Sequence, residues 1–287
     1  MSVKTSIDAG VAEVILDHPP VNALDSAGWR RLAETVAALG ADEAVRVLII
    51  AANGRGFCAG VDIKELARDA SLITRVNKGC YDAFAAIHDC PVPVIAAAHG
   101  FVLGGGIGIV GSCDVIIASE DATFGLPEID RGALGAGSHL LRMFPIQKVR
   151  RMLYTGQPIT AAEAYRLGAL ESVVARDELL PAARALARTI ATKSPRAVRL
   201  AKESLNGIEP LDVKRSYRFE QGFTLELYTS PDSQEARDAF VEKREADFAR
   251  SSASGKADKV GKVGKVGMSS ESDTSTKVTT SAGRAKT

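Results

Sequence analysis

The chain has 287 residues, 46% of them hydrophobic, enough to bury one full core, and a formal net charge of +1. That balance offers no overall pull on nucleic acid or an anionic membrane, and the stretch 251–287 supplies the positive charge, with seven basic against three acidic side chains. The N-terminal stretch lacks a basic, apolar and cleavage-site pattern. No apolar run approaches the ~20 residues of a membrane span, so a cytoplasmic protein is expected.

In chain order, VAEVILDH (11–18) and VRVLIIAA (45–52) read as strands from their β-branched, partly alternating pattern. Between them a helix starts near Ser26 as N-cap, carries Trp29, Leu32, Val36 and Leu39 at helical spacing, and closes at Gly40. A second helix covers 73–88. VPVIAAAH (92–99) is a buried strand, a glycine stretch then turns into a short helix, and DVIIAS (114–119) is another strand. Beyond ATFGLPEID the pattern is mostly helical. Thr160 with Glu163 forms a capping box and Gly168 stops that helix. LESVVA is a short strand. Asp177 and the pair Ser194-Pro195 mark further helix starts, and two last helices span about 211–228 and 233–248.

This order divides the chain into an α/β core over 1–190, a C-terminal helical region over 191–250, and a disordered tail over 251–287. The tail is Ser, Thr, Gly, Ala and Lys with a reiterated GKV, and it lacks the apolar content to offset ordering entropy. A nucleic-acid or lipid-binding arm is the sharper alternative for it. Cys58, Cys80, Cys90 and Cys113 are scattered and read as reduced packing thiols, with Cys58 the one to weigh as a nucleophile.

Three segments carry chemistry. GRGFCAGVDIKE (54–65) follows a strand, and its small residues Ala59 and Gly60 let a ligand approach the backbone. In HGFVLGGGIGIVGSCD (99–114), Gly104–Gly106 open a helix whose first amides have no internal partner and whose dipole favours an anion, although close helix-on-strand packing also explains glycines. In ATFGLPEID (122–130) one carboxylate, Glu128, follows Pro127 among apolar residues, which would raise its pKa and suit a proton shuttle.

Taken in register, PPVNAL, GFCAGVDIKE, AAAHGFVLGGG, CDVIIASEDATFGLPE and LYTGQPITAAEAYRLGAL make the chain resemble the crotonase superfamily, the enoyl-CoA hydratase/isomerase-like enzymes, from about 11 to 248. The resemblance implies an α/β crotonase fold, a spiral of ββα units with a helical C-terminal region, and a homo-oligomer of trimers or paired trimers. It implies an acyl-CoA substrate that carries its own coenzyme A, with no separate cofactor and no metal. The amides of Ala59 and Gly105 would hold the thioester oxygen as it becomes an enolate. CoA would lie across Val21, Ala23, Ala59, Gly60, Val61, Asp62 and Ile63, with Arg55, Phe240 and Lys243 as further contacts.

A hydratase of this family has a second glutamate in a GGGxE pattern, where this chain has Gly108. One carboxylate fewer argues against ordinary hydration, and the missing side chain would leave room for a larger acyl group. GVDIKE, GGGIGIVG, ATFGLPEIDRGALGAGSHLLR and YRFEQGFTLEL resemble the actinobacterial branch that hydrolyses a ring C–C bond in steroid degradation. Isomerisation, hydration in β-oxidation and a non-catalytic CoA-thioester binder are the alternatives. Glu220 is the candidate for activating water, with pairing to Arg218 or Arg215 as its structural alternative; Asp130 and His139 are lesser candidates.

Overall fold

The structure, a computed structural model, describes residues 2–248. The expected tail at 251–287, and the last two residues of the expected helical region, lie outside the described residues. In chain order the elements are β1 (Ser2–Asp8), β2 (Val11–Asp17), α1 (Ser26–Ala41), β3 (Val47–Ala52), α2 (Ile63–Arg68), α3 (Ile73–His88), β4 (Val94–Ala98), β5 (Phe101–Leu103) and α4 (Gly105–Ser112). There follow β6 (Val115–Ser119), β7 (Thr123–Gly125), α5 (Gly137–Met143), α6 (Ile146–Thr155), β8 (Ile159–Thr160), α7 (Ala161–Arg166), β9 (Ser172–Val174), α8 (Leu179–Ala191), α9 (Pro195–Ile208), α10 (Val213–Tyr228) and α11 (Pro231–Glu242). A 3-10 helix, Pro127–Arg131, lies between β7 and α5.

Six strands form one sheet in the order β1-β2-β3-β4-β6-β9, parallel except for the β1–β2 hairpin. Ala9 and Gly10 turn that hairpin with φ of 47° and 83°, the left-handed pair a tight two-residue turn requires. Because strand side chains alternate, β2 to β6 bury both faces. Val14, Leu16, Leu48, Ile50 and Ala96 pack into the main core with Trp29, Leu32 and Val36 of α1 and with α3. Val47, Ile49, Ile95 and Ala97 meet Leu179, Ala183 and Ala187 of α8 on the other side. A second sheet, β5-β7-β8, stands beside the glycine segment. After α8 come three helices, α9 to α11; the last runs from Pro231 to Glu242, so the expected helix over 233–248 starts two residues earlier and stops six residues short.

Several local expectations are corrected. Asp25, one residue before Ser26, caps α1 by accepting from Gly28 N at 2.7 Å. Gly40 lies within the last turn of α1, against Cys90 and Pro91, where a side chain would collide. Thr160 does cap α7, accepting from Glu163 N at 3.2 Å, but the Glu163 carboxylate bonds Lys148, so the capping box is not reciprocal. Asp177 sits in a 3-10 turn, and Glu178 is the residue that precedes α8. Strands β1, β5, β7 and β8 were not expected; the last three have two or three residues each and hold only through their neighbours.

Candidate active site

Two backbone segments meet at the floor of a cavity of about 420 Å³. The first is the loop from β3 to α2. Asn22, buried with φ 52°, holds it by donating to Asn53 O at 2.8 Å and Gly56 O at 2.9 Å, and by accepting from His18 N at 2.7 Å. Leu24 then bridges Val61 in parallel register: Leu24 N donates to Gly60 O at 2.8 Å, and Asp62 N donates to Leu24 O at 2.9 Å. In that pattern the central residue points its own amide the other way. The Val61 N–H therefore faces away from Leu24, and it meets no acceptor among the described residues.

Ala59, expected to supply this donor, does not. Its N–H is already hydrogen-bonded to Val21 O at 3.1 Å, so the donor moves two residues along, to Val61. Cys58 is no nucleophile either: its enclosed thiol accepts from Gly60 N at 3.3 Å, and burial pushes it up to about 12, against the thiolate.

The second segment opens α4. Gly104, with φ 56°, donates to Gly125 O at 3.2 Å and turns the chain. The next amide, Gly105 N–H, is the first of the helix and meets no acceptor among the described residues. A Cβ on Gly60 (φ 89°) would lie 2.9 Å from Gly105 N, so glycine at 60 is what lets the two segments touch. A Cβ on Gly105 would lie 2.6 Å from the Trp29 ring of α1. Two unpaired amides, one from a loop and one from a helix start, thus lie together on the floor, where they favour an oxygen that gains negative charge.

Glu128, in the 3-10 helix after β7, brings its carboxylate against Gly104; a Cβ there would collide with Oε1. Oε2 is shut off from solvent and has no partner among the described residues. Burial pushes the Glu128 pKa up to about 7; the negative charge of Glu220 adds to the rise, and its own backbone amide and the Arg131 guanidinium oppose it. The acid is thereby poised to lose and regain a proton near neutral pH.

The walls are mostly apolar. Leu66, Ile73, Val76 and Cys80 line the cavity, together with the 133–136 loop, Tyr217 and Tyr228. Arg131, Arg237 and Phe240 also line the cavity. Of the expected site residues, Ala59, Val61, Ile63, Gly105, Glu128 and Phe240 face it. Val21 and Ala23 run beside the loop, and Asp62 caps α2 by accepting from Lys64 N at 2.9 Å. Arg55 is exposed, and Lys243, which ends α11 with φ 56°, does not itself line the cavity although Val241 and Glu242 just before it do.

Two expectations about the acyl end fail. Gly108 frees no space: the Phe84 ring of α3 occupies the place a side chain would take, packed edge-on to Trp29 (5.5 Å) and His139 (4.8 Å). Glu220 is not available to activate water. Its two oxygens accept from Gly137 N at 2.7 Å, Ser138 N at 3.0 Å and Ser138 Oγ at 2.7 Å, capping α5. No ion pair joins it to Arg215 or Arg218 among the described residues. His139 lies wholly in the aromatic cluster, and burial drives its pKa down to about 3, so it stays neutral. Asp130 packs its carboxylate against Gly156 instead of the cavity.

A floor of two free amides beside an acid with a buried, unpartnered oxygen, on a mostly parallel α/β scaffold, is suited to receive an oxygen acquiring charge and to move a proton next to it. The chain belongs to the enoyl-CoA hydratase/isomerase family, whose model matches residues 6–251. It is 50% identical over 245 residues to a (7aS)-7a-methyl-1,5-dioxo-2,3,5,6,7,7a-hexahydro-1H-indene-carboxyl-CoA hydrolase of Rhodococcus jostii, covering 84% of this chain and 95% of that one. The hydrolase of the same name from Mycobacterium tuberculosis is 51% identical over 241 residues, covering 83% and 98%. Among solved structures, a carnitinyl-CoA hydratase from Mycobacterium avium superposes with a TM-score of 0.76 at 28% identity, covering 86% of this chain and 98% of that one.

Proposed function

We propose that this protein hydrolyses a ring C–C bond of a bicyclic keto-acyl-CoA of the hexahydroindene type, in steroid degradation. The observation that carries this is the combination of two free amides with one carboxyl, Glu128, whose Oε2 is buried without a partner, in a chain half identical to two hydrolases of that name. The other acids lining the cavity, Asp238 and Glu242, bond Gln234 and Arg244. The amides of Val61 and Gly105 hold the thioester oxygen. Water adds to a ring ketone that is joined to the thioester α-carbon directly or through a conjugated double bond. Collapse of that adduct breaks the ring bond, and the electron pair leaves as the thioester enolate, which the two amides stabilise.

Glu128 serves as the one shuttle: as carboxylate it takes a proton from the attacking water, and as acid it returns that proton to carbon. The second water hydrogen leaves with the new carboxylic acid. Phe84 in the place of a second glutamate supports this reading over hydration, which needs two positioned groups. CoA runs along Val21, Ala23, Val61, Asp62 and Ile63, with Arg55 and Lys243 outside the cavity as phosphate contacts. A homo-oligomer in the cytoplasm accounts for the exposed Leu205, Ile208, Phe219 and Phe223 on α9 and α10. Light scattering measures that assembly.

The deciding experiment supplies the bicyclic dioxo acyl-CoA in oxygen-18 water and follows products by mass spectrometry. The expected product is heavier by one water and labelled in a new carboxylate, beside weak hydration of crotonyl-CoA. Efficient crotonyl-CoA hydration with no ring opening overturns the reading in favour of a hydratase.

A further inference from the structure

We infer that Arg131 is a second anion subsite of the cavity, which holds the alkoxide formed when water adds to the ring ketone and then the carboxylate that ring opening creates. The inference rests on the hydrolytic reading above.

Arg131 is the last residue of the 3-10 helix that carries Glu128. A 3-10 helix has three residues per turn, so side chains at i and i+3 stand one above the other. The guanidinium therefore stands on the same face as the acid, close enough for its charge to act on Glu128. It lines the cavity, half-buried, and lies over the Phe240 ring at 4.9 Å from its centre. That aromatic seat orients the plane of the guanidinium without using its N–H groups.

Those N–H groups have no hydrogen-bond or ion-pair partner among the described residues. The other cavity arginine differs. Arg237 donates to Tyr228 O, Ser233 Oγ and Gln234 Oε1, and so serves the fold of α11. A cation partly withdrawn from water with no acceptor is unfavourable unless a ligand supplies one. The planar fork of arginine matches a carboxylate in two parallel bonds.

The chemistry asks for such a group. The floor amides hold the thioester oxygen, and Glu128 moves the proton, which leaves the attacked ketone oxygen unassigned. On attack, the C=O π pair moves to that oxygen; on collapse it re-forms the C=O as the ring C–C pair departs to the enolate. Hydration and isomerisation leave no carboxylate behind, so this subsite belongs to hydrolysis alone.

The test compares Arg131→Met and Arg131→Lys with wild type, all as the full chain, on the bicyclic dioxo acyl-CoA. Arg131→Met is expected to lower kcat by about 10²-fold, with part of the rate restored in Arg131→Lys. Inhibition by the ring-opened carboxylate product is expected to weaken at least tenfold in Arg131→Met, whereas its methyl ester binds both proteins alike. Unchanged kcat and product inhibition overturn the subsite. Equal weakening of the product, its ester and free CoA also overturns it, and makes Arg131 a contact of the CoA moiety. Wild type that opens no ring condemns the hydrolytic reading first.

Discussion

The floor and the α10 wall of the cavity solve opposite problems. The floor works through main-chain atoms: Val61 and Gly105 present amides that nothing else in the described chain accepts, and glycines at 60 and 104 allow the close approach. On α10, by contrast, three polar side chains are engaged in holding the fold. Glu220 caps α5, Gln221 donates to Asn77 O at 2.7 Å, and Thr224 donates to Leu134 O at 3.0 Å. The two glutamates show the contrast most sharply, since Glu128 has a buried oxygen with no partner while Glu220 accepts three hydrogen bonds. The groups proposed to do the chemistry are ones the fold leaves unpaired, whereas these satisfied groups hold the cavity in shape.

Glu128→Gln tests that contrast hardest. It keeps the shape but cannot take a proton, so ring opening should fall by about 10²-fold or more in a mass-spectrometric assay. The same variant should also show where stability goes. Folding raises the Glu128 pKa from 4.5 to about 7. The native chain thus holds a proton that the unfolded chain has released between those values. Wild type should lose stability as pH rises through that window, by on the order of 3 kcal/mol once above it. Glu128→Gln should lack the fall, matching wild type near pH 4 and exceeding it near pH 8 in urea titrations.

Gly108→Glu places the second hydratase carboxylate where the Phe84 ring lies. Overpacking and an unpaired buried charge should together cost about 3 kcal/mol, with no gain of crotonyl-CoA hydration. Adding Phe84→Ala should recover part of the melting temperature; a stable single variant that hydrates crotonyl-CoA well would show that the aromatic plug does not exclude the second acid.

Gly105→Ala puts a methyl group 2.6 Å from Trp29 while retaining the amide. A loss of about 2 kcal/mol is expected in thermal unfolding, relieved by Trp29→Leu. Proline at 105 would meet the same ring, so it cannot remove the donor cleanly.

The smallest effect belongs to Glu220→Gln. Losing the charged acceptor at the start of α5 should cost about 1 kcal/mol, with turnover within a few-fold of wild type. A fall of about 10²-fold in kcat at unchanged stability would return Glu220 to the chemistry.

The order of strands and helices was legible in the sequence because β2, β3, β4, α1 and α3 carry their own periodicity. Glu128 was legible only with the other two segments beside it, since an acid in that loop reads by itself as a surface group and Asp130 stands two residues on. The short β5, β7 and β8 have too few residues to show a pattern.

Motif order and spacing were enough for the family, the single acid and the absence of a second glutamate at Gly108, because each is a matter of which residue stands where along the chain. Which amide is free is not. Ala59 and Val61 lie two apart in one loop, and they differ only because Val21 O meets the first while the Leu24 bridge turns the second into the cavity. The filling of the Gly108 space by Phe84, and the engagement of Glu220 by Gly137 and Ser138 more than eighty residues away in sequence, are likewise long-range matters. A hydrogen-bonding group acts or rests according to what the folded chain brings within about 3 Å of it, and local sequence carries no record of that distance.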